Sequence, residues 1–263
     1  MIFNDPSSTP EQTAQALERL TKAAEAGQDC AQYALGKIYR DGQGVEKDIQ
    51  KAVALFTLAA TKENSFAAFA LGKLYLAGDA ALPRDPAAAL KWLTYAAELG
   101  NQFAQYRLGK LLLKGDDGIP KDVIAAIRWL TAAAKQENGY AEYALALVYL
   151  TGEDAPKDSV KALRLLKRSA GRGNQFAQYR LGKLLLQGED APKDVKAAIR
   201  WLTAAAEQGN QYAQYALGKL YLLGKEVPKD RSSAIKWFQL AADQGNEYAQ
   251  YSVSYTHLRA HET

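Results

Sequence analysis

A basic residue followed by aspartate returns along most of the sequence, and this periodicity constrains the fold more than any other feature. Its aspartates are Asp48, Asp85, Asp122, Asp158, Asp194 and Asp230. Successive aspartates are 37, 37, 36, 36 and 36 residues apart. Periods of roughly 20–50 residues indicate stacked repeats, because one short unit cannot bury its own apolar face. The chain is therefore expected to fold as an array.

Each repeat contains two apolar stretches with helical spacing. In the third repeat, Ala104, Leu108 and Leu111 lie on one face of a first helix, helix A. Asn101 is its expected N-cap, directly after a glycine expected to be left-handed. A loop with glycine and proline follows, and Asp122 is the expected N-cap of a second helix, helix B. The sequence predicts an all-α fold: a right-handed α/α superhelical solenoid of 36–37-residue helix-loop-helix repeats, with about thirteen helices.

The same pattern sets the expected boundaries. Residues 1–9 are predicted to be a disordered lead, although Thr9 and Gln12 offer a capping box for the first helix. Residues 10–252 are predicted to form the solenoid, made of an orphan helix B, six full repeats and the start of a seventh. Residues 253–263 lose the period and resemble translated adapter sequence, so they are treated as a tail outside the fold.

Two further positions recur within the helices. A glycine in the middle of helix A weakens that helix by about 1 kcal/mol relative to alanine, which predicts close packing there. These glycines are Gly36, Gly72, Gly109, Gly182 and Gly218. A large apolar residue recurs in helix B, which predicts packing between repeats. The residues at this position are Trp92, Trp129, Trp201 and Trp237, and Phe56 and Leu165 are assigned to the same position.

Segments 31–48 and 234–245 resemble Sel-one-like repeats (SLR), which are α/α solenoids of the tetratricopeptide class. They carry Ala-Gln-Tyr-Ala-Leu-Gly-Lys-Ile-Tyr and Ala-Ile-Lys-Trp-Phe-Gln-Leu-Ala-Ala, and the resemblance covers about residues 11–253. The period of 36–37 residues favours this family over the tetratricopeptide repeat of about 34. The resemblance implies a protein-protein interaction scaffold or adaptor, without a chemistry common to all members.

A second hypothesis concerns what this array is attached to. The recurring strings Asn-Gln-(Phe/Tyr)-Ala-Gln-Tyr and Pro-Lys-Asp are similar to arrays that follow the relaxase domain of bacterial mobilisation proteins. Under this hypothesis, the chain is the C-terminal repeat portion of a mobilisation protein of a plasmid or conjugative element. The DNA chemistry of such a protein would belong to its relaxase domain and not to the repeats.

Nothing in the sequence forms a catalytic or metal-binding set. A single cysteine excludes an internal disulfide framework and an all-thiolate zinc site. Both histidines, His257 and His261, lie in the tail, and the glutamate expected beside the first of a zinc-binding pair is absent. We predict no enzyme, no cofactor, no metal and no small-molecule substrate, and an enzyme is kept only as a remote third hypothesis.

Charge and hydropathy narrow the classes of partner. The 33 basic and 29 acidic residues give a net charge of +4, far below that of a dedicated nucleic-acid binder. Direct nucleic-acid binding is therefore not expected. No apolar run approaches about 18 residues, and no secretory signal is evident as written. The expectation is a cytoplasmic bacterial protein without membrane contact.

The candidate site is a basic stripe on helix A. Its members are Lys37, Lys73, Arg107, Lys110, Arg180, Lys183 and Lys219. Glutamines recur nearby, at positions 32, 105, 178, 214 and 250. In relatives helix A lines the concave surface, so the stripe predicts a basic groove for other proteins or extended acidic peptides. The alternative is a charged face that only keeps the chain soluble.

Overall fold

The structure, a computed structural model, describes residues 9–115 and 118–258. The expected disordered lead falls on residues outside this range, apart from Thr9. Within the described residues the chain forms fourteen α-helices and no β-strand. The predicted fold class, an all-α solenoid of helix-loop-helix repeats, is confirmed. The count exceeds the expected thirteen because the segment Glu247–Leu258 is also helical.

The chain divides into two compact units, Met1–Gln136 and Glu137–Thr263. The helices of the first unit are α1 (Pro10–Glu25), α2 (Asp29–Asp41), α3 (Ile49–Ala60), α4 (Ser65–Ala77), α5 (Pro86–Glu98), α6 (Gln102–Lys114) and α7 (Val123–Lys135). Helix α1 precedes the first matched pair, and helices A and B alternate after it; that α1 is an orphan helix B stays a prediction. Each helix packs against the next, most extensively within the pairs α2–α3, α4–α5 and α6–α7.

The second unit repeats this arrangement. Its helices are α8 (Gly139–Thr151), α9 (Ser159–Gly171), α10 (Gln175–Gln187), α11 (Val195–Glu207), α12 (Gln211–Leu223), α13 (Arg231–Asp243) and α14 (Glu247–Leu258). The pairs α8–α9, α10–α11 and α12–α13 are the three repeats of this unit. Helix α14 runs past residue 252, where the repeat pattern predicted the end of the solenoid. The tail boundary at residue 253 stays a prediction.

Side-chain caps begin the helices as expected. The Asp122 carboxylate accepts a hydrogen bond from the Ala125 amide at 2.9 Å, and each of the other five aspartates of the motif caps its helix B in the same way. The Asn101 side chain accepts from the amides of Phe103 and Ala104. Thr9 forms the predicted capping box with Gln12. The predicted caps are confirmed.

The mid-helix glycines occupy the closest approach of helix A to helix B. A Cβ at Gly109 would lie 2.6 Å from Leu130 Cγ and 3.1 Å from the Ala126 carbonyl oxygen. Such distances leave no room for a side chain, so the predicted packing role is confirmed. Equivalent crowding occurs at Gly36, Gly72, Gly182 and Gly218.

The assignment of Phe56 to the tryptophan position was wrong. Phe56 is fully buried and faces Gly36, just as Leu130 faces Gly109. Trp129, one residue before Leu130, is only half-buried. The residue of the first repeat at the tryptophan position is Leu55. The error arose because Asp48 and Asp85 are 37 residues apart, so a count of 36 back from Trp92 displaces the assignment by one residue.

Candidate partner-binding surface

The lysines of the predicted stripe lie on helix A next to aromatic rings. In the first unit, the ammonium groups of Lys37, Lys73 and Lys110 lie 5.8, 5.7 and 5.9 Å from a ring centroid. In each case the ring belongs to the residue four positions earlier, one helical turn away. A cation within about 6 Å of a ring face is attracted by its quadrupole. The stripe therefore combines positive charge with aromatic surface.

Two of these rings, Tyr33 and Phe69, belong to a larger feature, an aromatic ladder, in which a ring on one helix A touches a ring on the next helix A of the same unit. In the first unit the pairs are Tyr33–Phe66 and Phe69–Phe103, with centroids 6.2 and 6.3 Å apart. In the second unit the pairs are Tyr143–Phe176, Tyr179–Tyr212 and Tyr215–Tyr248, at 6.0–6.3 Å.

The second ring of each pair is exposed to solvent. Phe66, Phe103 and Phe176 are 51, 49 and 43% exposed, and Tyr212 and Tyr248 are 54 and 74% exposed. Sequence reasoning assigned neither ring of a pair to a site. The missed signal is a second aromatic residue three positions before the first, which brings both rings to one face of helix A.

The stripe residues are not equivalent in the two units. Arg107 and Lys110 are exposed and line one cleft together with Arg84 and Lys114. Arg180, at the position of Arg107 in an identical stretch of sequence, is half-buried. Burial raises the pKa of Tyr143 and of Tyr179, and the positive charge of Arg180 partly offsets both shifts. Arg180 thus interacts with the ladder, whereas Arg107 faces a cleft.

The glutamines near the stripe do not belong to a groove. Gln105 is buried, and its Nε2 donates to the Ala97 carbonyl of the preceding helix B at 3.0 Å. The same bond is made by Gln32, Gln178, Gln214 and Gln250. These side chains join helix A to the repeat before it. We remove them from the candidate surface.

Other candidate chemistries find no support in the described part of the chain. There, no group of three or more histidine, cysteine, aspartate and glutamate side chains could hold a metal ion. His261 lies outside the described residues. None of the described helices combines the length and the apolar character required to cross a membrane. Cys30 is exposed and has no cysteine with which to pair.

Comparison with known proteins gives consistent matches. The Sel1 repeat signature matches residues 31–64, 65–101, 102–138, 139–174, 175–210 and 211–246. A protective antigen of uropathogenic Escherichia coli strains, described as displaying an SLR fold, is 34% identical with a TM-score of 0.81. A Sel1 repeat protein from Oxalobacter formigenes is 33% identical with a TM-score of 0.82.

The coverage of these matches is unequal. Both cover 94% of this chain, which in turn spans 52% of the Escherichia coli protein and 70% of the Oxalobacter protein. The immunity protein PA5088 of Pseudomonas aeruginosa, at 18% identity and a TM-score of 0.52, shares the fold alone. A search of curated proteins found no match.

Proposed function

Because the chain belongs to the Sel1 repeat family, we propose that it is a non-catalytic scaffold or adaptor that holds other proteins on helix A. The observation that carries this proposal is the aromatic ladder with its neighbouring lysines. Rings that are 43–74% exposed recur on every helix A from α4 to α14, at Phe66, Phe103, Tyr140, Phe176, Tyr212 and Tyr248. Contiguous exposed apolar surface rimmed by polar groups is typical of protein interaction sites.

The chemistry of this surface indicates the kind of partner. Aromatic and arginine side chains are enriched among the few residues that carry most of the binding energy of an interface. The basic members of the stripe would attract acidic side chains. They are Lys37, Lys73, Arg107 and Lys110 in the first unit, and Arg180, Lys183 and Lys219 in the second. The proposed partner is therefore an extended segment with both acidic and apolar residues.

A selection from a displayed peptide library tests the proposal with a matched pair of variants. Phe103→Ala removes an exposed ring of helix A, whereas Ile124→Ala removes an exposed side chain of helix B that is 85% exposed. We expect the selected peptides to be rich in acidic and apolar residues. Their affinity should fall about tenfold on Phe103→Ala, the loss of roughly 1.4 kcal/mol typical of an interface anchor, and stay unchanged on Ile124→Ala.

Two results would contradict the scaffold proposal. One is a selection that yields no enriched sequence. The other is equal weakening by Phe103→Ala and Ile124→Ala, since the binding surface would then not be confined to helix A. Circular dichroism of both variants checks that the helices are retained.

We further propose the repeat portion of a mobilisation relaxase as the second candidate function, supported by the recurring Asn-Gln-(Phe/Tyr)-Ala-Gln-Tyr and Pro-Lys-Asp strings. It is compatible with a scaffold and implies a location in the bacterial cytoplasm. Sequencing of the gene beyond both ends of this chain is the test. A relaxase domain upstream supports this candidate, and an unrelated or absent upstream domain contradicts it.

A further inference from the structure

The aromatic ladder of the second unit joins four consecutive helices A. Its ring contacts connect α8 with α10, α10 with α12, and α12 with α14. On α10 and α12 the two rings of one helix are three positions apart, so both lie on the same face of that helix. The first ring of each contact is half-buried, and the second is exposed. The second unit therefore has one continuous aromatic surface with an exposed ring at each step.

The exposed rings of this surface recur at the spacing of the helices that carry them. Helices in side-chain contact lie roughly 8–10 Å apart, so Phe176, Tyr212 and Tyr248 recur at about that interval. A polyproline II segment turns once every three residues and rises about 9.3 Å per turn. A β-strand returns to one face after about 6.6 Å, and an α-helix after about 5.4 Å. Of these three conformations, polyproline II matches the ladder at every turn.

The ladder also offers hydrogen-bond donors to a ligand backbone. The hydroxyl groups of Tyr212 and Tyr248 bond to none of the described residues, and Lys219 is exposed one helical turn after Tyr215. Helices α10 and α12 contain no aspartate or glutamate. A polyproline II backbone leaves its carbonyl oxygens without internal partners, and proline has no N–H to donate. A surface of donors therefore suits a ligand backbone that presents acceptors.

We propose that the ladder of the second unit binds a proline-rich segment in the polyproline II conformation. One residue of every three stacks on an exposed ring, and the carbonyl oxygens between them accept hydrogen bonds from tyrosine hydroxyls and lysine. A proline-rich segment is already extended when free, so little conformational entropy is lost on binding. This inference rests on the proposed scaffold function and specifies the conformation of its extended partner.

Three synthetic peptides of equal length test the conformation of the ligand. They are dodecaproline, the same peptide with every second proline replaced by glycine, and an amphipathic helix-forming peptide rich in leucine and glutamate. Dodecaproline is about 37 Å long, which is enough to follow the ladder over its three steps. We expect dodecaproline to bind at least about tenfold more tightly than the glycine-containing peptide, which lacks half of the pyrrolidine rings and is flexible. The helix-forming peptide should bind no better than the glycine-containing one.

Matched variants assign the binding to the ladder of the second unit. All chains carry Phe103→Ala, because this change interrupts the shorter ladder of the first unit. Tyr212→Ala removes the middle exposed ring and should lower the affinity for dodecaproline about tenfold, whereas Tyr212→Phe keeps the ring and should lose less. Leu240→Ala shortens a side chain that is 40% exposed on α13, a helix B, and should leave the affinity unchanged. Circular dichroism checks that each variant keeps its helices.

The inference is overturned if either of the other peptides binds as tightly as dodecaproline. It is also overturned if Tyr212→Phe or Leu240→Ala costs as much affinity as Tyr212→Ala. Its failure is distinguishable from failure of the scaffold function. Library peptides that lose affinity on Phe103→Ala, together with a dodecaproline that does not bind, would support the scaffold and reject the polyproline II ligand. A library without enriched sequences and a dodecaproline that does not bind would reject both proposals.

Discussion

The fourth and fifth repeats fill the same buried position in two ways. In the fifth, the Gln178 Oε1 accepts a hydrogen bond from the Gln208 Nε2 at 2.7 Å, so two neutral amides join helix A to helix B. In the fourth, the equivalent residues are Glu142 and Arg172, and a fully buried carboxylate stands where the amide would be. The geometry of the repeat is kept while the type of interaction changes.

The Glu142 carboxylate is held by Arg168 of α9 and by Arg172, the residue that follows this helix. Arg168 Nη2 lies 2.7 Å from one carboxylate oxygen, and Arg172 Nε lies 3.4 Å from the other. Arg172 also pairs with Glu137, a residue with a φ of 66° where most repeats have glycine. The fourth repeat therefore replaces a neutral hydrogen bond by a small charged network.

The amide pair and the charged network differ in how much stability is lost when one partner is removed. A buried amide without its partner loses one hydrogen bond, worth about 1 kcal/mol. A buried carboxylate without a cation is far more costly, because the protein interior solvates its charge poorly. The fourth repeat should thus be sensitive to changes that the fifth tolerates.

Removal of the cations should produce the largest effect. We expect Arg168→Ala combined with Arg172→Ala to lower the free energy of unfolding by about 3–5 kcal/mol, since Glu142 is left buried without a partner. Gln208→Ala in the fifth repeat should cost only about 1 kcal/mol. Chemical denaturation measures both. Equal losses would show that the charged network and the amide pair are energetically alike.

The pH dependence of stability should also separate the two repeats. Burial raises the pKa of Glu142 above its ordinary value of about 4.5, and Arg168 and Arg172 only partly offset this. At a pH between the unfolded and the folded pKa, the folded chain holds a proton on Glu142 that the unfolded chain has released. This contribution to stability is fully present below the unfolded pKa and is lost as the pH rises through the folded pKa.

Comparison with Glu142→Gln isolates this group, because all other titrations cancel in the difference. From about pH 7 to about pH 4, the wild-type chain should gain stability relative to the variant. The lowered pKa of Asp190, caused first by its hydrogen bond with Lys157, has the opposite sign. Asp190→Asn is therefore the control, against which the wild-type chain should lose stability on acidification. A flat difference for Glu142→Gln would refute the raised pKa.

Much of the fold follows from local sequence. Asp122 and Asn101 were identified as caps because a cap needs only a short polar side chain before a helical pattern. Gly109 was identified because a recurring costly residue implies a recurring contact. The register of Phe56 was missed, since one extra loop residue between Asp48 and Asp85 shifts a count of 36 by one position, although the side chain that faces the neighbouring helix stays the same.

The candidate surface was less accessible to sequence reasoning. Because Gln105 lies close to the lysines in the sequence, its side chain was expected on the same exposed surface. Its Nε2 instead donates to a carbonyl of the preceding repeat. Arg84 joins Arg107 only in three dimensions, because the loop of one repeat lies beside helix A of the next. Contacts of this kind depend on how repeats stack, which the spacing within one repeat does not contain.

Disturbing the close contact between helix A and helix B should change the stability by an intermediate amount. A Cβ at Gly182 would lie 2.7 Å from Leu202 Cγ and 3.0 Å from the Ala198 carbonyl oxygen. Gly182→Ala should therefore destabilise the chain by about 1–3 kcal/mol, despite the better helix propensity of alanine. The fourth repeat already has Ala146 at this position, so Ala146→Gly should cost only about 0.5–1 kcal/mol. Stabilisation by Gly182→Ala would reject the close packing.

The smallest expected change in stability concerns the first repeat, which has neither the complete amide pair nor the charged network. Gln32 donates to the Ala24 carbonyl, but its buried Oε1 has no hydrogen-bond partner among the described residues. Lys62 occupies the place of Gln136, which in the third repeat donates at 2.9 Å both to Gln105 Oε1 and to the Gly100 carbonyl. Lys62 makes the bond to the equivalent carbonyl, that of Gly27.

Lys62→Gln should therefore keep the bond to Gly27 and add a donor for Gln32, as the third repeat already does. A net gain of about 1 kcal/mol is expected, because a buried oxygen acquires the partner it lacks. Lys62→Ala, which removes the donor altogether, is the control and should not stabilise the chain. If Lys62→Gln is no more stable than Lys62→Ala, Gln32 already reaches water, and the amide pair contributes little wherever it occurs.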